Sequence, residues 1–292
     1  MGFTIVTDTS SNLPTPLLKE NDVSVIAFSY NLNGEEYICP DTEAFDGTRY
    51  YGLMRGGVVV TTSQINPQRY VDHVEPILQS GEDILFVNMS SGISGSYNCA
   101  EFAAAQLRVR YPERDIRLVD TLGASLGEGI LVLKAIECRK KGLSLSDTAE
   151  LLLAMRHRMY QVFIVDDLMH LKRSGRLSGT AAIVGTVLQI KPLLKGNERG
   201  EIINFGRVRG RRKAIEALAQ KYDELVRGAE KQTVGIAHAD CAEDAEYLAK
   251  LLRRSHAPKE IMTVGYEPVT GAHVGPGTLA LFFEGDVDVR SK

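Results

Sequence analysis

Short apolar segments alternate with helical patterns through the first half of this 292-residue chain. Five segments rich in Val and Ile predict strands at residues 3–7, 23–28, 58–61, 84–88 and 116–120. Helical patterns are found at 46–55, 67–79, 95–110 and 123–140, and from a Ser144 cap to about 159. Because strands that alternate with helices form a mainly parallel sheet covered on both faces, this half predicts a three-layer α/β/α domain.

The second half has a different order of elements. Patterns typical of strands occur at 161–165, 202–208, 234–238, 261–265 and 279–283, with helical patterns at 180–189, 211–227 and 242–254. This order predicts an α+β two-layer sandwich with its helices gathered on one side. We therefore expect two domains, residues 1–160 and 161–292, with an antiparallel hairpin at Asn33-Gly34 in the first.

The turn Ser90-Ser91-Gly92-Ile93-Ser94-Gly95-Ser96-Tyr97 connects a predicted strand to a predicted helix. Free N–H groups and the positive end of the helix dipole favour an anion at such a turn, and glycine allows close approach. The turn has hydroxyls but neither lysine nor acid, so it can hold a carboxylate or phosphate by hydrogen bonds alone. An ordinary strand–helix connection with serine caps is the alternative.

A second hydroxyl turn, Thr61-Thr62-Ser63-Gln64, closes the apolar run at 58–60 in the same manner. If both strands end at the carboxyl edge of one sheet, Thr62 and Ser94 converge in the crevice where open α/β sheets bind ligands. Other segments accompany the two turns in a fixed order: Thr7-Asp8-Thr9-Ser10-Ser11, 166–176, 190–194, 207–213 and His273-Val274-Gly275-Pro276-Gly277. The ordered set resembles the DegV family of bacterial fatty-acid-binding proteins over about residues 3–283.

The resemblance implies a ligand tunnel between the two domains that holds a long-chain fatty acid such as palmitate, stearate or oleate. It assigns the carboxylate contact to Thr62 and Ser94 and places the His273 imidazole near this headgroup. A dry tunnel suits the tail, because each buried methylene contributes about 0.8 kcal/mol, whereas a buried carboxylate has to be hydrogen-bonded. A further set of residues is expected at the rim: Asp8, Ser10, Ser63, Ser91 and Gly95.

Basic residues are concentrated in one segment, although the formal net charge of the chain is −3. Between residues 172 and 213, eleven Lys or Arg stand against two Glu, a net charge of +9, which leaves −12 for the rest. In the family, a carrier hands its fatty acid to a separate ATP-dependent kinase subunit, which phosphorylates the carboxylate. A basic face suits an acidic partner, and we expect it to comprise Lys172, Arg173, Arg176, Arg207, Arg209 and Arg211.

Two other functions stay open at this point. Ser94, His273 and Asp120 would form a serine-type acyl hydrolase if the fold brought them together. Alternatively, the segment 172–213 would bind nucleic acid or an acidic protein, although Phe205 is the one aromatic residue in it, which disfavours base stacking. We favour the non-catalytic carrier, with no nucleic-acid partner.

Several classes of site and location are not expected. No phosphate-binding loop is found, and the six histidines lack close metal-ligand spacing, so neither a cofactor nor a metal is expected. No apolar run reaches the roughly 18–20 residues of a membrane span, and the first one breaks at Asp8, too early for a signal peptide. Four scattered cysteines without a C-x-x-C pair favour reduced thiols and the cytoplasm.

Overall fold

The structure is a computed structural model that describes residues 2–178 and 189–292. The predicted helix at 180–189 lies outside these residues except for Gln189. The strands are β1 Phe3–Asp8, β2 Val23–Ile26, β3 Ser29–Leu32, β4 Glu35–Ile38, β5 Val60–Ser63, β6 Asp83–Asn88, β7 Ile116–Asp120, β8 Met159–Ile164, β9 Leu177–Ser178, β10 Ile190–Gly196, β11 Ile202–Arg209, β12 Thr233–His238, β13 Glu260–Gly265 and β14 Leu279–Glu284. The helices are α1 Thr15–Glu20, α2 Gly47–Arg55, α3 Pro67–Gln79, α4 Ser96–Arg110, α5 Leu126–Lys140, α6 Leu145–Met155, α7 Met169–Arg173, α8 Arg211–Leu225, α9 Ala242–Ser255 and α10 Pro268–Val274.

A parallel sheet with the strand order β2-β1-β6-β7 forms the middle layer of the first half. Its side chains alternate between two buried clusters, as the two-residue period of a strand requires. Ile5 and its register partner Leu85 share one cluster with α5 and α6, while Val6 and Phe86 share the other with α3 and α4. The predicted three-layer α/β/α arrangement is thus confirmed.

Strands β3, β4 and β5 form a small antiparallel sheet with the order β4-β3-β5, separate from the parallel sheet. Asn33 and Gly34 form its hairpin turn with φ of +55° and +88°, the left-handed backbone that this dipeptide favours. The predicted strand at 58–61 became β5, whose Thr62 pairs with Tyr30 of β3. The condition that both hydroxyl turns follow strands of one sheet is therefore not met, because β5 pairs with β3 of the antiparallel sheet.

The second half forms a mixed sheet with the order β13-β12-β14-β8-β10-β11-β9. One face is covered by α8 and α9, where Val162, Ile164 and Leu281 lie in a common core. On the opposite face, Phe163 and Phe282 belong to the same hydrophobic core as Leu126 and Ile130 of α5. The predicted two-layer sandwich is confirmed, and α5 packs against both sheets.

Strand β8 begins at Met159, so the expected domain boundary near residue 160 falls at its start and stays a prediction. Within the described residues, no helix has both the length and the apolar character that a bilayer crossing demands.

Candidate ligand-binding site

A cavity lies between the carboxyl edge of the parallel sheet and the inner face of the mixed sheet. Loops after β6 and β7 form one wall, and side chains of β8, β14 and α10 form the other. Most of the large side chains that line it are apolar: Phe28, Met89, Ile93, Leu122, Phe163, Leu171, Ile202, Val269, Val274 and Phe282. Such a cavity is suited to a ligand with a long apolar part.

Thr62 and His273 provide one polar group of the cavity wall. Thr62 is in β5 and His273 is in the last turn of α10, and the threonine Oγ1 lies 2.8 Å from the imidazole Nε2. The other nitrogen, Nδ1, is buried and has no hydrogen-bond partner among residues 2–178 and 189–292. Burial, and to a lesser extent the charge of Arg176, lowers the pKa of His273 to about 4. The imidazole is therefore neutral at neutral pH.

Ser94 lines the same cavity from the turn before α4. Its hydroxyl accepts a bond from the Ser96 N–H at 3.2 Å and lies 3.1 Å from the Ser96 hydroxyl. Ser96 in turn accepts the backbone N–H of Ile65 at 3.1 Å, which ties this turn to the one that holds Thr62. Thr62 and Ser94 thus belong to one cavity although their strands belong to different sheets.

Gly95 has a structural part in bringing the two turns together. A Cβ atom on Gly95 would lie 2.3 Å from Oε1 of Gln64, which is itself in the cavity wall. Gly95 therefore allows the two turns to approach closely, and its expected place at the rim stays a prediction.

The expected rim residues separate into different environments. Ser63 lines the cavity, whereas Ser91 donates to Asp120 at 2.6 Å outside the wall. Asp8 and Ser10 are fully buried away from the wall, where the Ser10 hydroxyl lies between the carboxylates of Asp8 and Glu128. Asp8 and Ser10 are therefore too deeply buried to lie at the rim, whereas Ser91 is exposed and its place at the rim stays a prediction.

Glu128 was missed by the sequence interpretation. It is fully buried in α5 and also accepts from the Thr7 hydroxyl at 3.0 Å. Burial and the neighbouring Asp8 hold the pKa of Glu128 well above its ordinary value, and burial also raises the pKa of Asp8. A charged residue inside the apolar run from 126 to 133 was the available signal.

Arg176 lines the cavity, although we expected it on an external docking face. Its Nε donates to the carbonyl of Ile93 at 3.2 Å, beside the turn that holds Ser94. Arg176 thus places a positive charge near the neutral hydroxyls and lowers the pKa of His273.

Arg211, another expected docking residue, forms ion pairs with Asp244 at 2.8 Å and with Asp166 at 3.3 Å, so its charge is compensated within the chain.

The remaining expected docking residues are Lys172, Arg173, Arg207 and Arg209. All four are exposed, the first two on α7 and the last two on β11.

Among the residues that the structure describes, no group of three or more His, Cys, Asp or Glu side chains has an arrangement that could hold a metal ion.

The hydrolase triad considered above is not assembled. Asp120 accepts from the Ser91 hydroxyl and from the N–H groups of Ser91 and Leu122. His273 is bonded to Thr62, and the Ser94 hydroxyl to Ser96. Ser94, His273 and Asp120 therefore have separate partners, and no nucleophile–base–acid relay connects them.

Fold and site together define an α/β protein that encloses a mainly apolar ligand cavity between a parallel and a mixed sheet. The chain belongs to the DegV family, since the family model described as "Uncharacterised protein, DegV family" matches residues 2–286. A DegV domain-containing protein of Clostridium perfringens is 38% identical over 284 residues, which are 97% of this chain and 98% of that protein.

Solved structures of the family have the same fold. A DegV family protein from Thermus thermophilus, described by its fatty acid binding, superimposes with a TM-score of 0.88 at 31% identity, covering 98% of this chain and 100% of its own. DegV of Bacillus subtilis, described as a fatty acid binding protein, has a TM-score of 0.82 at 27% identity over 98% and 100% of the two chains.

Proposed function

We propose that this protein binds one long-chain fatty acid in the cavity, with the carboxylate at Thr62, Ser94 and His273. The observation that supports this most is a mainly apolar cavity with neutral hydroxyl and imidazole groups in its wall. The fatty acid binding described for the relatives from Thermus thermophilus and Bacillus subtilis supports the same ligand class.

The tail supplies most of the affinity in this proposal. Burying the methylenes of a sixteen-carbon acid contributes roughly 12 kcal/mol gross. Immobilising the flexible chain opposes this gain. Palmitate, stearate and oleate all fit the proposed ligand class.

The headgroup is held by hydrogen bonds from neutral donors. If Nε2 of His273 carries the proton, it donates to Thr62 and frees the threonine O–H for the carboxylate. If Nδ1 carries the proton, Thr62 donates to Nε2 and the unpaired Nδ1–H is free to donate instead. Either tautomer therefore leaves one donor, and Arg176 adds a favourable charge nearby.

We also propose that the protein presents this headgroup to an ATP-dependent fatty acid kinase, which phosphorylates the carboxylate. Four exposed cations support a docking face for an acidic partner: Lys172, Arg173, Arg207 and Arg209. The carrier itself needs no catalytic group for that step.

We also propose a reducing compartment such as the cytoplasm, because Cys39, Cys99, Cys138 and Cys241 are free thiols.

The test is mass spectrometry of lipid released by solvent extraction from purified protein, compared between two serine variants. We expect about one fatty acid per chain in the wild type, strongly reduced occupancy in Ser94→Ala and unchanged occupancy in Ser91→Ala. Ser91 is a matched control because it lies in the same turn but outside the cavity wall. A folded wild type that binds no added palmitate would overturn the proposal, and equal losses in both variants would remove Ser94 from the headgroup site.

A further inference from the structure

Ser125 has a buried hydroxyl that the proposed carboxylate contacts do not use. The residue lines the cavity with 1% of its surface exposed. Its Oγ has no hydrogen-bond partner among the described residues. A buried hydroxyl without a partner destabilises a protein, so a ligand atom that pairs with it gains the missing bond.

The backbone at Ser125 is in a conformation that side chains rarely adopt. Its φ of +52° and ψ of −139° lie in a region that suits glycine, and Leu122, three residues earlier, has a φ of +54°. The first turn of α5 fixes this geometry, since the N–H groups of Glu128 and Gly129 donate to the Ser125 carbonyl at 3.0 and 2.9 Å. Strained non-glycine residues beside a cavity are typical of binding sites.

Gln161 adds a second polar group to the same wall. Its amide accepts from the Ala124 N–H at 3.3 Å and donates to the Leu122 carbonyl at 3.0 Å, so it holds the loop that precedes Ser125. The missing side chain of Gly127 makes room for it, since a Cβ there would lie 2.5 Å from Oε1 of Gln161. An amide has two N–H donors and two acceptor lone pairs, so Gln161 keeps capacity beyond these two bonds.

We propose that Ser125 and Gln161 form a polar subsite for an oxygen substituent on the acyl chain, so that the cavity prefers hydroxylated long-chain fatty acids. This rests on the proposed function. An unsubstituted chain leaves the Ser125 hydroxyl unpaired, whereas a chain hydroxyl both donates and accepts at this wall. A site built to hydrogen-bond a hydroxyl discriminates against the analogue that lacks it.

The experiment measures the affinity of delipidated protein for hexadecanoic acid and for a series of hexadecanoic acids that carry one hydroxyl at different positions. We expect one position to bind about threefold to tenfold more tightly than the unsubstituted acid. In Ser125→Ala that advantage disappears, while hexadecanoic acid binds at least as tightly as before. Ser125→Gly, which removes the hydroxyl and relieves the backbone, gives the same loss of preference if Ser125→Ala folds poorly.

Failure of this inference differs from failure of the proposed function. If hexadecanoic acid binds but no hydroxylated acid binds more tightly, water satisfies Ser125 and the subsite is overturned. A preference that persists in both Ser125 variants overturns it as well. If no acid of the series binds, the fatty-acid function itself fails, and the subsite with it.

Discussion

The Thr62 hydroxyl lies 2.8 Å from Nε2 of His273, so a strand of the small antiparallel sheet and the last turn of α10 meet at one hydrogen bond. The two residues are 211 positions apart in the chain. Because both line the cavity, this bond determines which donor is free to face a bound headgroup.

Replacing Thr62 by valine tests the importance of this hydroxyl. Thr62→Val keeps the side-chain shape but removes the donor and leaves His273 Nε2 without its partner. We expect palmitate to bind about 10-fold to 100-fold more weakly, since hydrogen bonds to charged groups contribute about 1.5–3 kcal/mol. Titration calorimetry measures the change. Thr62→Ser retains the hydroxyl and serves as the control, and a valine variant with wild-type affinity would place the carboxylate elsewhere.

Because His273 is neutral in the folded protein, the free energy of unfolding depends on pH. Its pKa in the folded protein is about 4, below the ordinary 6.5, so the unfolded chain binds more protons between these values. The stability that this group contributes is complete above pH 6.5 and is lost as the pH falls towards 4. Between pH 7.5 and 4 we expect wild type to lose up to about 3 kcal/mol more than His273→Gln. Urea denaturation of both proteins provides the comparison, and identical pH profiles would show that the imidazole titrates freely.

Local sequence patterns predicted most helices and strands, whereas the position of the site depends on pairing between strands that are distant in the sequence. Asn33-Gly34 identifies its hairpin from two residues, but nothing near Val60 indicates that β5 pairs with β3 rather than with the parallel sheet. Thr62 and Ser94 were predicted to converge, and they do line one cavity through a different arrangement. Arg176 and Gln161 were not predicted in the wall, because the cavity is formed jointly by segments distant in sequence.

The buried carboxyl of Glu128 produces the opposite pH dependence. A carboxyl whose pKa is raised on folding favours the folded state less as the pH rises above its unfolded value of 4.5. Glu128→Gln removes this titration and keeps acceptors and donors for Ser10 and Thr7. We therefore expect the stability of the variant, relative to wild type, to increase between pH 5 and 8.

Glu137→Gln is the matched control on the same helix. Lys134 and Lys141 lower the pKa of the partly exposed Glu137 to about 2, so its contribution to stability is lost only as acid is added. Its variant should keep a constant difference from wild type between pH 5 and 8. Denaturation curves for Glu128→Gln that parallel those of wild type would show that Glu128 is ionised in the folded protein.

Two glycines of the turn before α4 should differ in their tolerance of alanine. A Cβ on Gly92 would lie 2.5 Å from the backbone carbonyl oxygen of Arg199, whereas one on Gly95 meets the end of the Gln64 side chain, which can rotate away. We expect Gly92→Ala to lower the unfolding free energy by about 1–3 kcal/mol and Gly95→Ala by less. Thermal denaturation ranks the two, and the reverse order would contradict the packing of this turn against the loop at residue 199.

Charge reversal on β11 and at the start of α8 separates docking from stability. Arg209 is exposed, whereas Arg211 is paired with Asp166 and Asp244. Arg209→Glu should therefore slow acyl-phosphate formation by the kinase, most strongly at low salt, and leave fatty acid affinity unchanged. Arg211→Glu should lower the melting temperature, because it places a third carboxylate beside two others. If Arg209→Glu weakens fatty acid binding and kinase coupling equally, the docking face is not separate from the cavity.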